Sequence, residues 1–290
     1  MTTASQWLAG ARPRTLGAAV APVLVGTSAA IGDADRVIWW RAAGALVVAL
    51  ALQVGVNYAN DYSDGVRGTD RDRKGPLRLT ATGLASPRAV QRAAAIAFAV
   101  AAVAGLVVSV VVEPLLLLVG VAAIAAAVLY TGGPKPYGYF GLGEVMVLTF
   151  FGFVATVGSA YVQVERVPSA AWWGSLVVGL LACAILLANN VRDVATDVVS
   201  GKRTLAVRIG ARAARRLFAA CYVGSFAAVV AMGLSQPWAL LGLAALPLAA
   251  QPVRTVMTRT DPPALISALV TTSKVEIVIA VLVSAGLCLS

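Results

Sequence analysis

Two stretches of this chain concentrate side chains that bind cations. The first reads Val56-Asn57-Tyr58-Ala59-Asn60-Asp61-Tyr62-Ser63-Asp64 and runs on to Asp70 and the basic residues Arg71, Arg73, Lys74 and Arg78. The second reads Asn189-Asn190-Val191-Arg192-Asp193-Val194-Ala195-Thr196-Asp197, followed by Gly201, Lys202 and Arg203. Each sets an Asn four residues before an Asp, Asn57 with Asp61 and Asn189 with Asp193, then adds a further Asp, a Gly and basic residues. Residues four apart share a helix face, so each stretch is expected to present carboxylates as a ladder to one side. Asp61, Asp64, Asp70, Asp193 and Asp197 would repel one another if gathered without a cation. Hard oxygen donors at that density suit Mg²⁺, with water and phosphate completing its shell. Asn57 and Asn189 join the five Asp residues as candidate metal ligands. Lys74, Arg78, Lys202, Arg203 and Asn60 are placed to take the phosphate oxygens that a metal leaves uncovered, Arg as a planar fork and Lys as a point charge.

The elements that carry these stretches are membrane spans. Of 290 residues, 59% are hydrophobic and 12% charged, with a mean hydropathy of +0.84, against roughly 25% charged in an ordinary soluble domain. Nine apolar runs are expected to be transmembrane helices: Leu16–Ile31, Ala42–Asn57, Ala89–Val111, Leu115–Tyr130, Leu142–Ala160, Trp172–Ala188, Ala214–Leu234, Trp238–Val253 and Ser273–Leu289. At 1.5 Å per residue, runs of roughly 16 to 22 residues approach or cross a hydrocarbon layer of about 30 Å. The expected fold is therefore an all-α polytopic membrane protein. Arg12 and Arg14 lead straight into a full-length span, so no cleavable signal peptide is expected. If the N-terminus lies inside, all of the 23 Lys and Arg residues except Arg36, Arg41 and Arg166 fall in cytoplasmic segments. The positive-inside rule therefore predicts a cytoplasmic N-terminus, with both Asp stretches on that same face of the cell membrane.

Composition also excludes. There is no histidine, so a Ser-His-Asp triad, His-ligated haem and imidazole-based zinc sites are ruled out. Cys183, Cys221 and Cys288 lie in apolar runs without metal-ligand spacing and read as small packing residues. The net charge of +10 sits beside the spans and not in a basic tail, so anionic lipid or a phosphorylated ligand is expected and nucleic acid is not.

The two Asp stretches close the second and sixth spans. A separation of four spans returns both to one face and suggests a parallel repeat: a single membrane domain with a first half of about 1–130 and a second of about 131–290 around a central cavity. A ligand anionic at its head and apolar in its tail fits such a pair of half-sites, as a polyprenyl diphosphate would. Neutralising the departing diphosphate lets an allylic C–O bond ionise, a task for charge stabilisation and not for a nucleophile. A CDP-alcohol phosphatidyltransferase would need an Asp-Gly-x-x-Ala-Arg signature, which is absent. A cation transporter would need charge along a crossing path, whereas these acids sit at helix ends. Gln53 lies inside a span and is expected to face the interior. Gly152, Gly158 and Gly179 are expected to allow close helix packing, and Lys274 with Glu276 reads as a local pair or a snorkelling Lys.

With Asn60-Asp61-x-x-Asp64 and Asp193-x-x-x-Asp197 in place, the chain resembles the UbiA superfamily of intramembrane prenyltransferases over essentially its whole length. That family usually sets a third Asp four residues after the second. Here Gly65 follows Asp64 and the next acid is Asp70, which leaves both as candidate ligands. The stretches Ala11–Leu16, Gly75–Arg78, Tyr130–Tyr137, Gly141–Glu144 and Gly201–Arg208 resemble the branch that prenylates 1,4-dihydroxy-2-naphthoate in menaquinone synthesis. The resemblance implies nine helices around a cavity, Mg²⁺, a polyprenyl diphosphate donor and decarboxylative prenylation of the naphthoate, with 4-hydroxybenzoate-like acceptors as the alternative. It implies Asp61, Asp193, Lys135 and Tyr130 as catalytic residues, and Arg14, Tyr137 and Gln53 as acceptor-binding ones. Nothing in the sequence sets chain length or oligomeric state.

Overall fold

The computed structural model describes residues 2–34, 36–69 and 77–290. In chain order the helices are α1 (Ala4–Ala11), α2 (Gly17–Ala34), α3 (Trp39–Arg67), α4 (Pro87–Val112), α5 (Leu116–Leu129), α6 (Gly143–Val147), α7 (Ala155–Val164), α8 (Ser169–Val199), α9 (Leu205–Ile209), α10 (Ala211–Gly233), α11 (Leu246–Thr258) and α12 (Pro262–Cys288). A π-helical stretch, Leu148–Val154, joins α6 to α7 into one rod. A 3₁₀ stretch, Pro237–Ala245, leads into α11.

Eight of these rods are long and apolar enough to cross a membrane, and the chain is a multi-pass membrane protein. The ninth expected span, α5, has only 14 described helical residues, about 21 Å at 1.5 Å per residue. Pro114 bounds it on one side and Gly132-Gly133-Pro134 on the other, so the sequence cannot extend it. Both Asp-bearing helices instead run past their apolar runs, to Arg67 and Val199. The last helix starts at Pro262, eleven residues before the expected span, behind an Asp261 N-cap whose carboxylate accepts from the Ala264 N–H at 3.2 Å. Trp39, Trp172 and Trp238 stand exposed near the starts of α3, α8 and the Pro237 rod, as expected of an interfacial aromatic belt.

α3 lies along α4 and α8 lies along α10, while α12 packs on α2 and α8. The main apolar core joins α2, α8, α10 and α12, with Leu181, Leu187, Phe218 and Ile279 excluded from solvent. Small residues set the closest approach. A Cβ on Gly179 would stand 2.7 Å from the Gly152 Cα, so the π-helical stretch and α8 touch backbone to backbone. Gly158 differs from the packing expectation, because a Cβ there meets nothing within 4 Å and the residue faces the central cavity. Glu276 also differs. It is fully buried, pairs with no Lys, and neither of its oxygens finds a partner among the described residues.

Candidate active site

Asp64 lies in the last turn of α3 as Asp197 does in the last turn of α8, and both overhang one cavity of about 840 Å³. Helix C-termini carry partial negative charge, so acids gathered there draw in cations from neighbouring loops. Lys202 Nζ donates to Asp64 Oδ2 at 2.9 Å, which joins the second Asp stretch to the first. The Tyr139 hydroxyl donates to Asp64 Oδ1 at 2.7 Å, and Arg78 Nη2 lies 3.8 Å from Oδ2. Burial, reinforced by the Asp64 charge, holds the Tyr139 hydroxyl well above the ordinary tyrosine range, so it remains a donor. The Tyr139 ring meets two cations, the Arg67 guanidinium carbon at 5.4 Å and Lys202 Nζ at 5.0 Å from its centroid. On α8, Arg192 grips Asp193 with two bonds of 2.6 Å, a fork on a carboxylate. The Thr204 hydroxyl approaches Asp197 at 3.5 Å.

Below this charged roof the wall turns polar but uncharged, then apolar. Gln53, Asn57, Asn60 and Asp64 recur at helical spacing on α3 and all face the cavity. Gln53 and Asn57 give their side-chain N–H groups to Thr15 Oγ1 at 3.2 Å and the Ala11 carbonyl at 2.9 Å, and Asn60 Oδ1 accepts from the Thr131 hydroxyl at 2.7 Å. Across from them Asn189, Asn190, Asp193 and Asp197 of α8 line the same space. Leu52, Val56, Phe150, Phe151, Ile185 and Leu186 are among the side chains that make the remainder apolar.

Asp61 stands apart from the cavity face on which its place in the repeat suggested it would lie. It is 1% exposed and does not line the cavity. Its two oxygens accept the backbone N–H groups of Leu79 and Thr80 at 2.7 and 2.8 Å. The reason is angular: at about 100° per residue, Asp61 lies on the flank of the face set by Asn57, Asn60 and Asp64. It fastens the loop that carries Arg78. Lys135 and Arg203 also depart from expectation. Both are exposed and neither lines the cavity. Arg203 contributes through its backbone N–H, which donates to the Tyr139 carbonyl at 3.0 Å. Arg14, Tyr130, Tyr137, Gln53, Asn57, Asn60, Arg78, Asn189 and Lys202 are all on the cavity wall. Tyr130 and Tyr137 stand together, with ring centroids 5.5 Å apart. Asp70 and Lys74 lie outside the described residues.

With an all-helical membrane fold and two Asp-bearing helix ends over one cavity, the comparison with known families is decisive: the UbiA prenyltransferase family model matches residues 19–278. The chain belongs to that family. It is 49% identical over 257 residues to a 1,4-dihydroxy-2-naphthoate octaprenyltransferase of Mycobacterium tuberculosis, covering 88% of each chain. It is 46% identical over 294 residues to the protein of the same name in Mycobacterium leprae, covering 100% of this chain and 98% of that one. A UbiA homolog from Archaeoglobus fulgidus, solved bound to GPP and Mg²⁺, shares the fold at a TM-score of 0.67 and 14% identity, covering 97% and 99% of the two chains.

Several wall residues of this UbiA family member carried no expectation from sequence. Tyr139 sits in a short 3₁₀ turn (Tyr137–Phe140) and Thr131 and Thr204 in loops, where no periodicity reveals direction. Arg192 was hidden by adjacency, since neighbours on a helix seldom face one another, but a long Arg reaches back to Asp193. Asn190 was legible in principle, because 190, 193 and 197 share a face. Glu144 is buried at the start of α6, where its Oε1 accepts from Asn190 Nδ2 at 2.9 Å.

Proposed function

We propose that this chain transfers a polyprenyl group from its diphosphate to 1,4-dihydroxy-2-naphthoate with loss of CO₂, in a Mg²⁺-dependent reaction at the cytoplasmic face of the cell membrane. The observation that carries this reading is the meeting of the two Asp stretches, through Asp64 and Lys202, over a cavity whose remaining wall is largely apolar. Names borne by relatives at 46 to 49% identity support the acceptor.

The donor set fits the metal. Asp64, Asp193, Asp197 and Asn189 offer hard oxygens to one cavity. Among the described residues no three carboxylates gather closely enough to cage an ion, and Mg²⁺ is commonly held by one or two carboxylates plus substrate phosphates. When bound, it supplies charge that makes the diphosphate a better leaving group. Arg78, Lys202 and Arg192 can turn from carboxylates to phosphate oxygens. The tail runs among the apolar side chains, which also keep water from the allylic carbon. The allylic C–O bond breaks and its electron pair leaves with the diphosphate. The carboxyl-bearing ring carbon then bonds to the allylic carbon, and release of CO₂ returns an electron pair to the ring. No proton need be removed from carbon, and the product is the prenylated quinol. Tyr130 and Tyr137 offer an aromatic wall for the naphthoate, and Arg14 a charge for its carboxylate.

The test is turnover by purified protein in lipid with a polyprenyl diphosphate, Mg²⁺ and 1,4-dihydroxy-2-naphthoate. We expect a decarboxylated, prenylated quinol, its loss on chelation and its return with added Mg²⁺. Product from 4-hydroxybenzoate but not from the naphthoate would overturn the acceptor assignment. No product from either would overturn the reaction.

A further inference from the structure

Asn190 is 7% exposed, and its one side-chain hydrogen bond, from Nδ2 to Glu144 Oε1, uses its donor. Its Oδ1 takes no partner among the described residues, although the residue lines the cavity. Glu144 is 7% exposed, and its Oε2 is buried and likewise unpartnered. With its nitrogen on the Glu144 carboxyl oxygen, the Asn190 amide turns its own oxygen to the opposite side. The carbonyl oxygen is therefore fixed toward the cavity as an acceptor.

Such an oxygen repels phosphate and attracts either a hydroxyl or a cation. Depth along α8 decides between them. Asn190 precedes Asp193 by three residues, about 4.5 Å along the axis, on the side away from the charged roof and toward Leu186. Leu186 and Tyr130 close on Gly143, the residue before Glu144: a Cβ there would stand 3.1 Å from Leu186 and 3.5 Å from the Tyr130 ring. The Asn190 oxygen thus opens beside the aromatic wall, in the layer between diphosphate site and tail.

Resting on the proposed reaction, we infer that Asn190 accepts a hydrogen bond from a ring hydroxyl of the aromatic acceptor, and that Glu144 is the positioning residue that keeps its amide oxygen turned inward. Asn190 touches the acceptor, whereas Glu144 acts only through Asn190. A site built to accept from a hydroxyl discriminates against an analogue that lacks it, because the oxygen is then left buried and unpaired.

The experiment measures kcat and KM for the naphthoate and for the prenyl diphosphate separately. It uses Glu144→Ala, Glu144→Gln, Asn190→Ala and the unmodified protein in lipid, with dihydroxynaphthoate and with its two monohydroxy analogues. Glu144→Ala and Asn190→Ala should raise the naphthoate KM about tenfold, leave the diphosphate KM within twofold, and lose the preference for the dihydroxy compound over one analogue. Glu144→Gln, which still offers an oxygen to Asn190 Nδ2, should restore the KM and the preference. The inference is overturned by an unchanged naphthoate KM, by equal rises in both KM values, by a Gln variant as impaired as the Ala variant, or by a raised Mg²⁺ requirement in Asn190→Ala in place of the acceptor effect. Absence of turnover in the unmodified protein would instead count against the proposed reaction.

Discussion

Glu276 sits in α12 with no solvent exposure and with neither oxygen bonded among the described residues. A buried polar group without a partner costs roughly 1–3 kcal/mol. Glu276→Met should therefore raise the thermal midpoint in detergent, whereas Glu276→Gln, which keeps polar atoms in the same place, should not. A Met variant less stable than the parent would show that the carboxyl earns its place through a contact of its own. Asp61 is the opposite case, since it satisfies two backbone N–H groups. Asp61→Ala orphans both, at roughly 1–3 kcal/mol each, and should lower the midpoint and activity together. Asp197→Asn keeps the shape and removes a cavity-facing charge, so it should cost about 100-fold or more in turnover at a nearly unchanged midpoint. Equal unfolding of both variants would contradict this division of labour. Asp64, Asp193, Asp197 and Asn189 were legible as cavity residues because residue type and helical spacing agree, and Lys202, past the end of α8, by residue type alone. Asp61 was not, because the repeat aligned it with Asp193 while its helix turned it aside toward Leu79.

For whole elements, apolar length located the eight long rods, and it fell short where polar residues continue a helix or where Pro and Gly cut one. The ends of α3 and α8 are hydrophilic, so hydropathy stops early although their hydrogen-bond ladders continue. α5 is apolar throughout but bounded by Pro114 and the Gly-Gly-Pro turn. The seam between the π-helical stretch and α8 makes a sharper claim than composition could. Gly179→Ala should destabilise by about 1–3 kcal/mol through overpacking, because the added methyl meets the Gly152 backbone. Gly158→Ala should be neutral or slightly stabilising, since Ala favours a helix over Gly and nothing occupies that space. Thermal midpoints of the two variants compare them directly, and similar losses in both would remove the case for backbone contact at the seam.

Taken as one body, the molecule places its sequence-distant acids at one end of its helices and its exposed tryptophans near the other. The proposed orientation sets the acid end in the cytoplasm and, since three spanning rods follow α8, the C-terminus outside. Cys183 and Cys221 are buried while Cys288 is exposed at the end of α12. A membrane-impermeant maleimide should therefore label intact cells at Cys288 alone, and Cys288→Ser should abolish the signal. Labelling confined to inverted vesicles would reverse the orientation.

The roof over the cavity has a further consequence. Asp61 fastens the 79–80 backbone, Arg67 reaches the carbonyls of Thr131 and Gly133, Lys202 reaches Asp64, and the Arg203 N–H holds Tyr139. Each tie binds one connection to a helix end or to another connection, so releasing one weakens the reason for its neighbour to stay. Such segments open together and not one at a time. Loops that look independent in sequence thus form a single cooperative unit, and slack introduced at one connection is shared by all of them.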